Sequence, residues 1–240
     1  MALDPRQAAC LDALGIDVYV RRDRPRPGPA AVVPVESQGA AGGQDAVPAT
    51  WQELEARVAA CMLCELHTTR TQTVFGVGNR QARWMFIGEA PGAEEDRQGE
   101  PFVGRAGQLL TSMLRALGFA REDVFIANVL KCRPPGNRDP RPEEARSCRG
   151  YLERQIELVS PTLIVAVGRI AAQNLLQTET PLARLRGQVH ALGAERRPVL
   201  VTYHPAYLLR SPAEKRKAWQ DLLFARQVFE RLERGEQVLA

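Results

Sequence analysis

The chain has 240 residues, enough for one well-packed domain and some additional sequence but hardly for two large domains. Its hydrophobic fraction of 45% is ordinary for a globular protein, and no apolar run approaches the ~20 residues that span a bilayer. The first residues lack the charged start and apolar stretch of a secretory signal. The sequence therefore predicts a cytoplasmic protein with no membrane partner, and its net charge of +4 permits an anionic partner.

The chain begins with two segments that do not resemble the rest. Residues 1–22 form a short N-terminal segment of unknown role, and residues 23–50 are rich in Pro, Gly, Ala and Gln. This composition is typical of a flexible linker. We expect the main domain to occupy residues 51–240, with Thr50 and Glu53 placed to form a capping box at its first helix.

Strands and helices alternate along this domain. Four buried strands are predicted, at residues 84–87, 123–127, 163–167 and 199–202. The intervening patterns predict helices at 106–117, 142–159 and 170–176 and a last helix from about Pro212. The sequence thus predicts the α/β class, with an α/β/α sandwich around a four-stranded, mostly parallel sheet.

Four of the five cysteines are spaced as ligands of one metal centre. Cys61 and Cys64 form a C-x-x-C pair, and Cys132 and Cys148 follow far downstream with fifteen residues between them. In a reducing compartment such a set favours a metal over disulfides. Zinc prefers two close cysteine pairs, whereas widely separated thiolates suit a cubane cluster at least as well. The spacing alone leaves zinc and iron–sulfur open.

Polar residues and glycine turns follow the four predicted strands. The strands run into Glu89, Asn128, Gly168 and His204. In open parallel sheets, ligands bind outside the carboxyl ends of the strands, so the convergence favours a site there. Taken singly, each residue is also explained as a turn, a cap or a structural histidine.

Two groups of basic residues flank these strand ends: Lys131, Arg133, Arg138, Arg141, Arg146 and Arg149, and then Arg210, Lys215, Arg216 and Lys217. Brought together by folding, such groups neutralise phosphates. For the charges alone, solvated loops and helix faces are the preferred interpretation.

In combination, several motifs resemble the family 4 uracil-DNA glycosylases, the iron–sulfur-containing members of their superfamily. The motifs are Cys61-x-x-Cys64, Gly88-Glu89-Ala90-Pro91-Gly92, Pro101-Phe102-Val103-Gly104-Arg105-Ala106-Gly107, Asn128 before Lys131-Cys132-Arg133-Pro134-Pro135, Cys148, and His204-Pro205-Ala206-Tyr207-Leu208-Leu209. The resemblance runs from about Trp51 to the last helix and does not cover residues 1–50. It implies a [4Fe–4S] cluster on the four cysteines. It also implies a monomeric enzyme that removes uracil from single- or double-stranded DNA and so initiates base excision repair.

The resemblance assigns roles to individual residues. Phe102 matches the phenylalanine on which the flipped base stacks, and Asn128 matches the amide that distinguishes uracil from cytosine. His204 matches the donor that stabilises charge on the departing uracil. Leu208 and Leu209 are expected to fill the gap left by the flipped base, and Arg210 to contact a phosphate; core leucines are the competing interpretation.

The water-activating group is the least specific assignment. Family 1 enzymes carry an aspartate where this chain has Ala90, and a thymine-excluding tyrosine where it has Gly92. We expect Glu89 to help position the water or its loop. We expect Glu95 to exclude thymine.

Two other functions compete with this one. A non-enzymatic DNA-binding module would use the same basic surface and a structural zinc. A glycosylase of broader specificity would accept hypoxanthine or xanthine. Residues 1–50 are a candidate binding segment for a repair or replication partner.

Overall fold

The structure is a computed structural model, and it describes residues 50–239. The predictions for residues 1–49 lie outside this range. The described part opens with helix α1 (Trp51–Ala59). Its predicted capping box is confirmed, since the Thr50 hydroxyl accepts from the Glu53 N–H at 3.2 Å and the Glu53 carboxylate accepts from the Thr50 N–H at 3.2 Å. No helix in this range is long and apolar enough to cross a bilayer.

A single mixed sheet forms the centre of the fold. Its strands are β1 (Val77–Gly78), β2 (Trp84–Gly88), β3 (Phe125–Asn128), β4 (Leu163–Val167), β5 (His190–Leu192) and β6 (Arg197–Thr202). Their order is β1-β3-β2-β4-β6-β5, with four parallel strands inside and an antiparallel strand at each edge. The predicted fold class is confirmed, and the predicted four strands are the four parallel ones. The count is corrected to six because the edge strands are too short and too exposed to give a sequence signal.

Helices cover both faces of the sheet. After α1 they are α2 (Ala93–Gln98), α3 (Arg105–Ala116), α4 (Pro142–Val159), α5 (Arg169–Leu176), α6 (Leu182–Leu185), α7 (Pro205–Arg210) and α8 (Lys215–Glu233). The predicted helices at 106–117, 142–159 and 170–176 correspond to α3, α4 and α5. The last predicted helix begins with a 3₁₀ turn over Pro212–Glu214 before α8. The short helices α2, α6 and α7 have too few residues to show a helical period.

Alternate residues of the buried strands face opposite layers. In β2, Met85 and Ile87 pack with α4 and α5, whereas Trp84 and Phe86 pack with α3 and α8. Strands buried on both faces carry uninterrupted apolar runs, which is why their sequence signal was strong. At their carboxyl ends Gly88 of β2 pairs with Asn128 of β3, so the loops that follow the parallel strands meet at one edge.

Candidate active site and cysteine cavity

Three residues from two strand ends and one loop meet at the centre of this edge. A Cβ atom built on Gly88 would lie 2.5 Å from Asn128 Oδ1 and 2.5 Å from Phe102 Cζ. These separations are far below van der Waals contact, so only glycine fits beneath both side chains. The backbone of Gly88 is therefore the floor on which the amide and the ring sit.

The amide of Asn128 has an unused acceptor. Asn128 is 2% exposed, and its Oδ1 is the only buried side-chain oxygen among residues 50–239 without a hydrogen-bond partner. An unpaired buried polar atom costs ~1–3 kcal/mol and is rare in folded proteins. An unpaired acceptor beside an aromatic ring is suited to accept a hydrogen bond from a bound ligand.

Phe102 is held in an unusual backbone conformation. Its φ angle is +55°, in the left-handed region that a bulky residue rarely adopts, and the side chain is 7% exposed. A Cβ on Gly107 would lie 1.8 Å from the Phe102 carbonyl oxygen, so the first turn of α3 packs directly under this loop. A strained conformation persists only where its surroundings hold it, so this packing fixes the Phe102 ring at the site.

Glu95 stabilises the same loop. Its carboxylate accepts from the backbone N–H groups of Val103 and Gly104, each at 3.0 Å, and from that of Gly92 at 3.1 Å. A Cβ built on Gly92 would lie 2.7 Å from Glu95 Oε2. The carboxylate thus occupies the space that a side chain at position 92 would fill. That is the location expected of a thymine-excluding group, and the three hydrogen bonds add a positioning role that the sequence did not indicate.

His204 lies against Phe102, with ring centroids 5.6 Å apart. Burial, reinforced by the charge of Arg210 and opposed by Glu95, lowers the pKa of His204 to about 4. Its Nδ1 accepts from the Ala206 N–H at 3.1 Å and caps α7. Since Nδ1 is an acceptor, the neutral ring carries its proton on Nε2 and offers one N–H donor.

Glu89 follows β2 and is partly buried at the rim. Burial, together with the nearby carboxylate of Asp139, raises the pKa of Glu89 to about 7, and Arg169 acts in the opposite direction. Arg169 donates to Asp139 at 2.7 Å, which divides its charge between the two carboxylates. A carboxyl group with this pKa exchanges a proton near neutral pH, as a general base does.

The two leucines of the predicted wedge have different environments. Leu208 is 1% exposed and lies in the interior, where the competing interpretation of a core leucine places it. Residues on adjacent helical positions point in different directions, and the sequence alone did not show which one faces inward. Leu209 is 37% exposed and Arg210 is exposed, so both remain available to a partner.

The four predicted ligand cysteines are brought together. Cys61, Cys64, Cys132 and Cys148 line one small cavity between the C-x-x-C loop, the loop after β3 and α4. Among residues 50–239 no group of three or more His, Cys, Asp or Glu side chains is arranged to hold a metal ion. Four thiolates round one zinc ion would each lie ~2.3 Å from it, whereas a cubane binds each thiolate to a different iron. Four thiols are the donor set that either group uses.

Hydrogen-bond donors surround the sulfur atoms. Arg70 Nη1 donates to Cys132 Sγ at 3.1 Å, and the Lys131 N–H donates to Cys148 Sγ at 3.2 Å. Burial raises the pKa of Cys148 to about 12, so a cation in the cavity is needed to hold it as a thiolate. Hydrogen-bond donors to sulfur are part of the environment that tunes such centres.

Lys131 departs from the expectation that it belongs to a basic DNA-facing surface. It is 1% exposed, and its ammonium donates to the Asn128 carbonyl at 2.8 Å and to Gln155 Oε1 at 2.6 Å. Burial lowers the pKa of Lys131 to about 8. Arg138 is also engaged, in an ion pair with the buried Glu144. This group of basic residues is therefore partly structural.

Two residues at the site were not predicted as site residues. Gly88 belonged to a recognised motif, but its role appears only when Asn128 and Phe102 are placed against it. Lys131 was read as a surface charge, since most lysines are exposed. Its position one residue before Cys132 was the available signal.

A substitution at Gly88 tests this packing. We expect Gly88→Ala to lower the free energy of unfolding by ~1–3 kcal/mol, because the added methyl overlaps Asn128 and Phe102. Gly150→Ala, in α4 with nothing within 4 Å of its Cβ, is the matched control and should leave stability unchanged or raise it by ~0.5–1 kcal/mol. Urea unfolding of both variants measures the difference, and equal stability of the two would contradict the packing.

Comparison with known proteins agrees with the geometry. The family model of the uracil DNA glycosylase superfamily matches residues 75–223. The type-4 uracil-DNA glycosylase of Archaeoglobus fulgidus is 51% identical over 161 residues, which are 65% of this chain and 81% of that protein. The type-4 uracil-DNA glycosylase of Thermotoga maritima is 48% identical over 157 residues, with the same coverage. A type-5 uracil-DNA glycosylase of Pyrobaculum aerophilum is 35% identical over 149 residues, 55% of this chain and 64% of that protein.

The matched range contains Phe102, Asn128 and His204, and it spans both downstream cysteines. The similarity to the two type-4 enzymes far exceeds the identity that establishes common descent, and it covers most of each of them. The chain belongs to the uracil-DNA glycosylase superfamily and, within it, to the type-4 uracil-DNA glycosylases.

Proposed function

We propose that this protein is a monofunctional uracil-DNA glycosylase that flips uracil from single- or double-stranded DNA and hydrolyses its N-glycosidic bond. The observation that carries the proposal is the buried, unpartnered Asn128 Oδ1 beside the ring of Phe102. The relatives named above support the substrate class. The product is an abasic site, which is the starting point of base excision repair.

Recognition follows from the donors and acceptors of the base. Uracil presents an N3–H donor and an O4 acceptor, and cytosine presents the opposite pair. Asn128 Oδ1 accepts from N3–H and its amide N–H donates to O4. Cytosine would leave buried polar groups unpaired, a penalty that can reach 10⁴–10⁵ in specificity. Phe102 stacks on the face of the flipped base, and Glu95 blocks the space that the thymine methyl would need.

Bond cleavage moves an electron pair from the sugar C1′–N1 bond onto uracil. Negative charge develops on uracil O2, where the Nε2–H of neutral His204 donates a hydrogen bond. The positive charge on the sugar is stabilised by the DNA phosphates. Water then adds its oxygen to C1′, and Glu89 in its carboxylate form accepts the proton that water loses.

Cys61, Cys64, Cys132 and Cys148 would hold a [4Fe–4S] cluster in the cavity that they line. With all four iron atoms ligated, such a cluster would supply a rigid connection between loops and would leave no position for substrate. Arg70 and the Lys131 N–H would donate to its sulfur ligands. The protein is proposed to act as a monomer in the cytoplasm, and residues 1–50 remain a candidate partner-binding segment.

The proposed function and cofactor are tested on one sample. Purified protein should absorb in the visible range and should convert uracil-containing single- or double-stranded oligonucleotides into alkali-labile products. Oligonucleotides with thymine, cytosine or hypoxanthine at the same position are the controls. A coloured, folded protein that cleaves neither uracil substrate would contradict the function, and a colourless active protein would contradict the cluster.

Two substitutions separate recognition from chemistry. His204→Ala should lower kcat by ~10²–10³ because one preorganised donor is lost.

Asn128→Ala should lower kcat/KM for uracil by ~10² or more while leaving the melting temperature nearly unchanged, since it removes an acceptor that is already unpaired. Asn174→Ala in α5 is the control for loss of a paired amide. Retained discrimination between uracil and cytosine in Asn128→Ala would argue against the assigned role.

The pH profile tests Glu89. Its pKa is raised to about 7, so the carboxylate that accepts a proton is lost as the pH falls below 7. We expect kcat/KM to decline about tenfold per pH unit below pH 6 in the wild type and to be flat, at a lower level, in Glu89→Gln. His204, whose pKa is lowered to about 4, stays neutral over pH 5–9 and therefore adds no pH dependence to kcat/KM in this range. The same acidic limb in both proteins would exclude Glu89 as its source.

A further inference from the structure

An aromatic stack stands directly beside the site without a role in the chemistry above. The rings of Tyr203 and Tyr207 are 5.1 Å apart and tilted by 28°, which is a stacked arrangement. Tyr203 immediately precedes His204, and Tyr207 lies in α7. Tyr207 is 37% exposed, and no other aromatic ring of residues 50–239 packs on it. A large aromatic side chain is thus partly presented to solvent.

Arg186 and Asp221 anchor the inner ring of the stack, which is that of Tyr203. The Arg186 guanidinium lies 4.3 Å above the centre of the Tyr203 ring, and Nη1 donates to the Tyr203 hydroxyl at 3.2 Å. Arg186 is itself fixed by two hydrogen bonds to the buried Asp221, at 2.7 and 2.9 Å. Asp221 also accepts from the Thr202 hydroxyl at 2.9 Å. Contacts thus connect the buried Asp221 carboxylate to Arg186, Arg186 to the Tyr203 ring and that ring to Tyr207, so the outer ring is preorganised.

The surroundings of the exposed ring match a nucleic-acid strand. Leu209, also 37% exposed, lies two residues beyond Tyr207. Arg210, Lys215 and Arg216 follow, all exposed and without an ion pair to any described residue. Aromatic faces next to free cations are the combination with which proteins bind unpaired bases and their phosphates.

We propose that the exposed face of Tyr207 is a stacking platform for an unpaired DNA base adjacent to the flipped uracil. The assignment rests on the proposed function and extends the substrate from one base to two. Leu209 fills the gap inside a duplex, whereas Tyr207 holds a neighbouring base that has lost its own stacking partner. The platform therefore serves single-stranded substrates, in which the neighbouring bases are unpaired.

The test is a double-mutant cycle between protein and DNA. The probe is a single-stranded oligonucleotide with one 2′-fluoro-deoxyuridine, whose glycosidic bond resists hydrolysis, and a second version with abasic residues on both sides of it. Tyr207→Ala should weaken binding of the first probe about 5- to 150-fold, the range of one base–aromatic stack. The abasic flanks should weaken wild-type binding similarly, and the two changes together should cost no more than either alone.

Control variants distinguish stacking from folding. Tyr207→Phe keeps the ring and should bind like the wild type, whereas Tyr207→Leu keeps apolar volume and should bind like Tyr207→Ala. Leu209→Ala should impair binding of duplex substrates. Leu223→Ala, an exposed leucine of α8, should change neither duplex nor single-stranded binding. Melting temperatures confirm that each variant is folded.

Several results would overturn the platform. Additive losses in the cycle, or Tyr207→Ala binding like the wild type, would show that no base stacks there. Dimerisation that is abolished by Tyr207→Ala, with DNA binding intact, would assign the surface to a second copy of the chain. Excision of ordinary uracil by the wild type in the same buffer tests the proposed function separately, so either idea can fail alone.

Discussion

The buried ammonium of Lys131 is the constraint on which both halves of the site depend. An ammonium removed from water is costly unless its donors are satisfied, and here they reach the Asn128 carbonyl and Gln155. Gln155 in turn donates to the Phe75 carbonyl at 2.9 Å. One side chain therefore ties the end of β3 to α4 and to the loop before β1, and the same residue's N–H donates to Cys148 Sγ.

This constraint connects the cysteine cavity to the strand ends that carry Asn128. The chain runs from Asn128 to Cys132 in four residues, and this segment is hydrogen-bonded at Val129 and Leu130 to the carbonyls of Gly88 and Glu89, each at 3.0 Å. A cluster that fixes Cys132 would fix the recognition amide through the backbone. It would do so without touching the substrate. The two sites share a segment of chain, and the chemistry stays on the strand ends.

The sequence predicted most of the fold because buried parallel strands and capped helices have strong local signals. Trp84 to Ile87 and Leu163 to Val167 are uninterrupted apolar runs, and Thr50 with Glu53 is a complete capping box. The edge strands that begin at Val77 and His190 were not predicted, since two or three half-exposed residues are too few to show an alternating hydrophobic pattern. The motifs located the site, but they did not show in which direction each side chain points.

The direction in which each side chain points decided the remaining assignments. Leu208 and Leu209 are identical in type, and only the packing of α7 determines that the first is interior and the second exposed. Lys131 and Arg133 are both basic, yet burial makes the first a structural brace. The sequence predicts thymine exclusion for Glu95, whereas two of its backbone hydrogen bonds, to Val103 and Gly104, depend on a loop that lies eight and nine residues later. Such contacts join residues that are separated in the sequence, so no local pattern predicts them.

The cap that His204 places on α7 has a consequence for where protons go. Its Nδ1 is committed to the Ala206 N–H, and its pKa of about 4 keeps the ring from gaining a second proton at neutral pH. A neutral imidazole does not give up its remaining proton to a leaving group as weakly basic as uracil. In the proposed reaction the base would depart as an anion, paired with the donor only while bound, and take its proton from water after release. The helix cap thereby makes the histidine an electrostatic partner and excludes it as an acid.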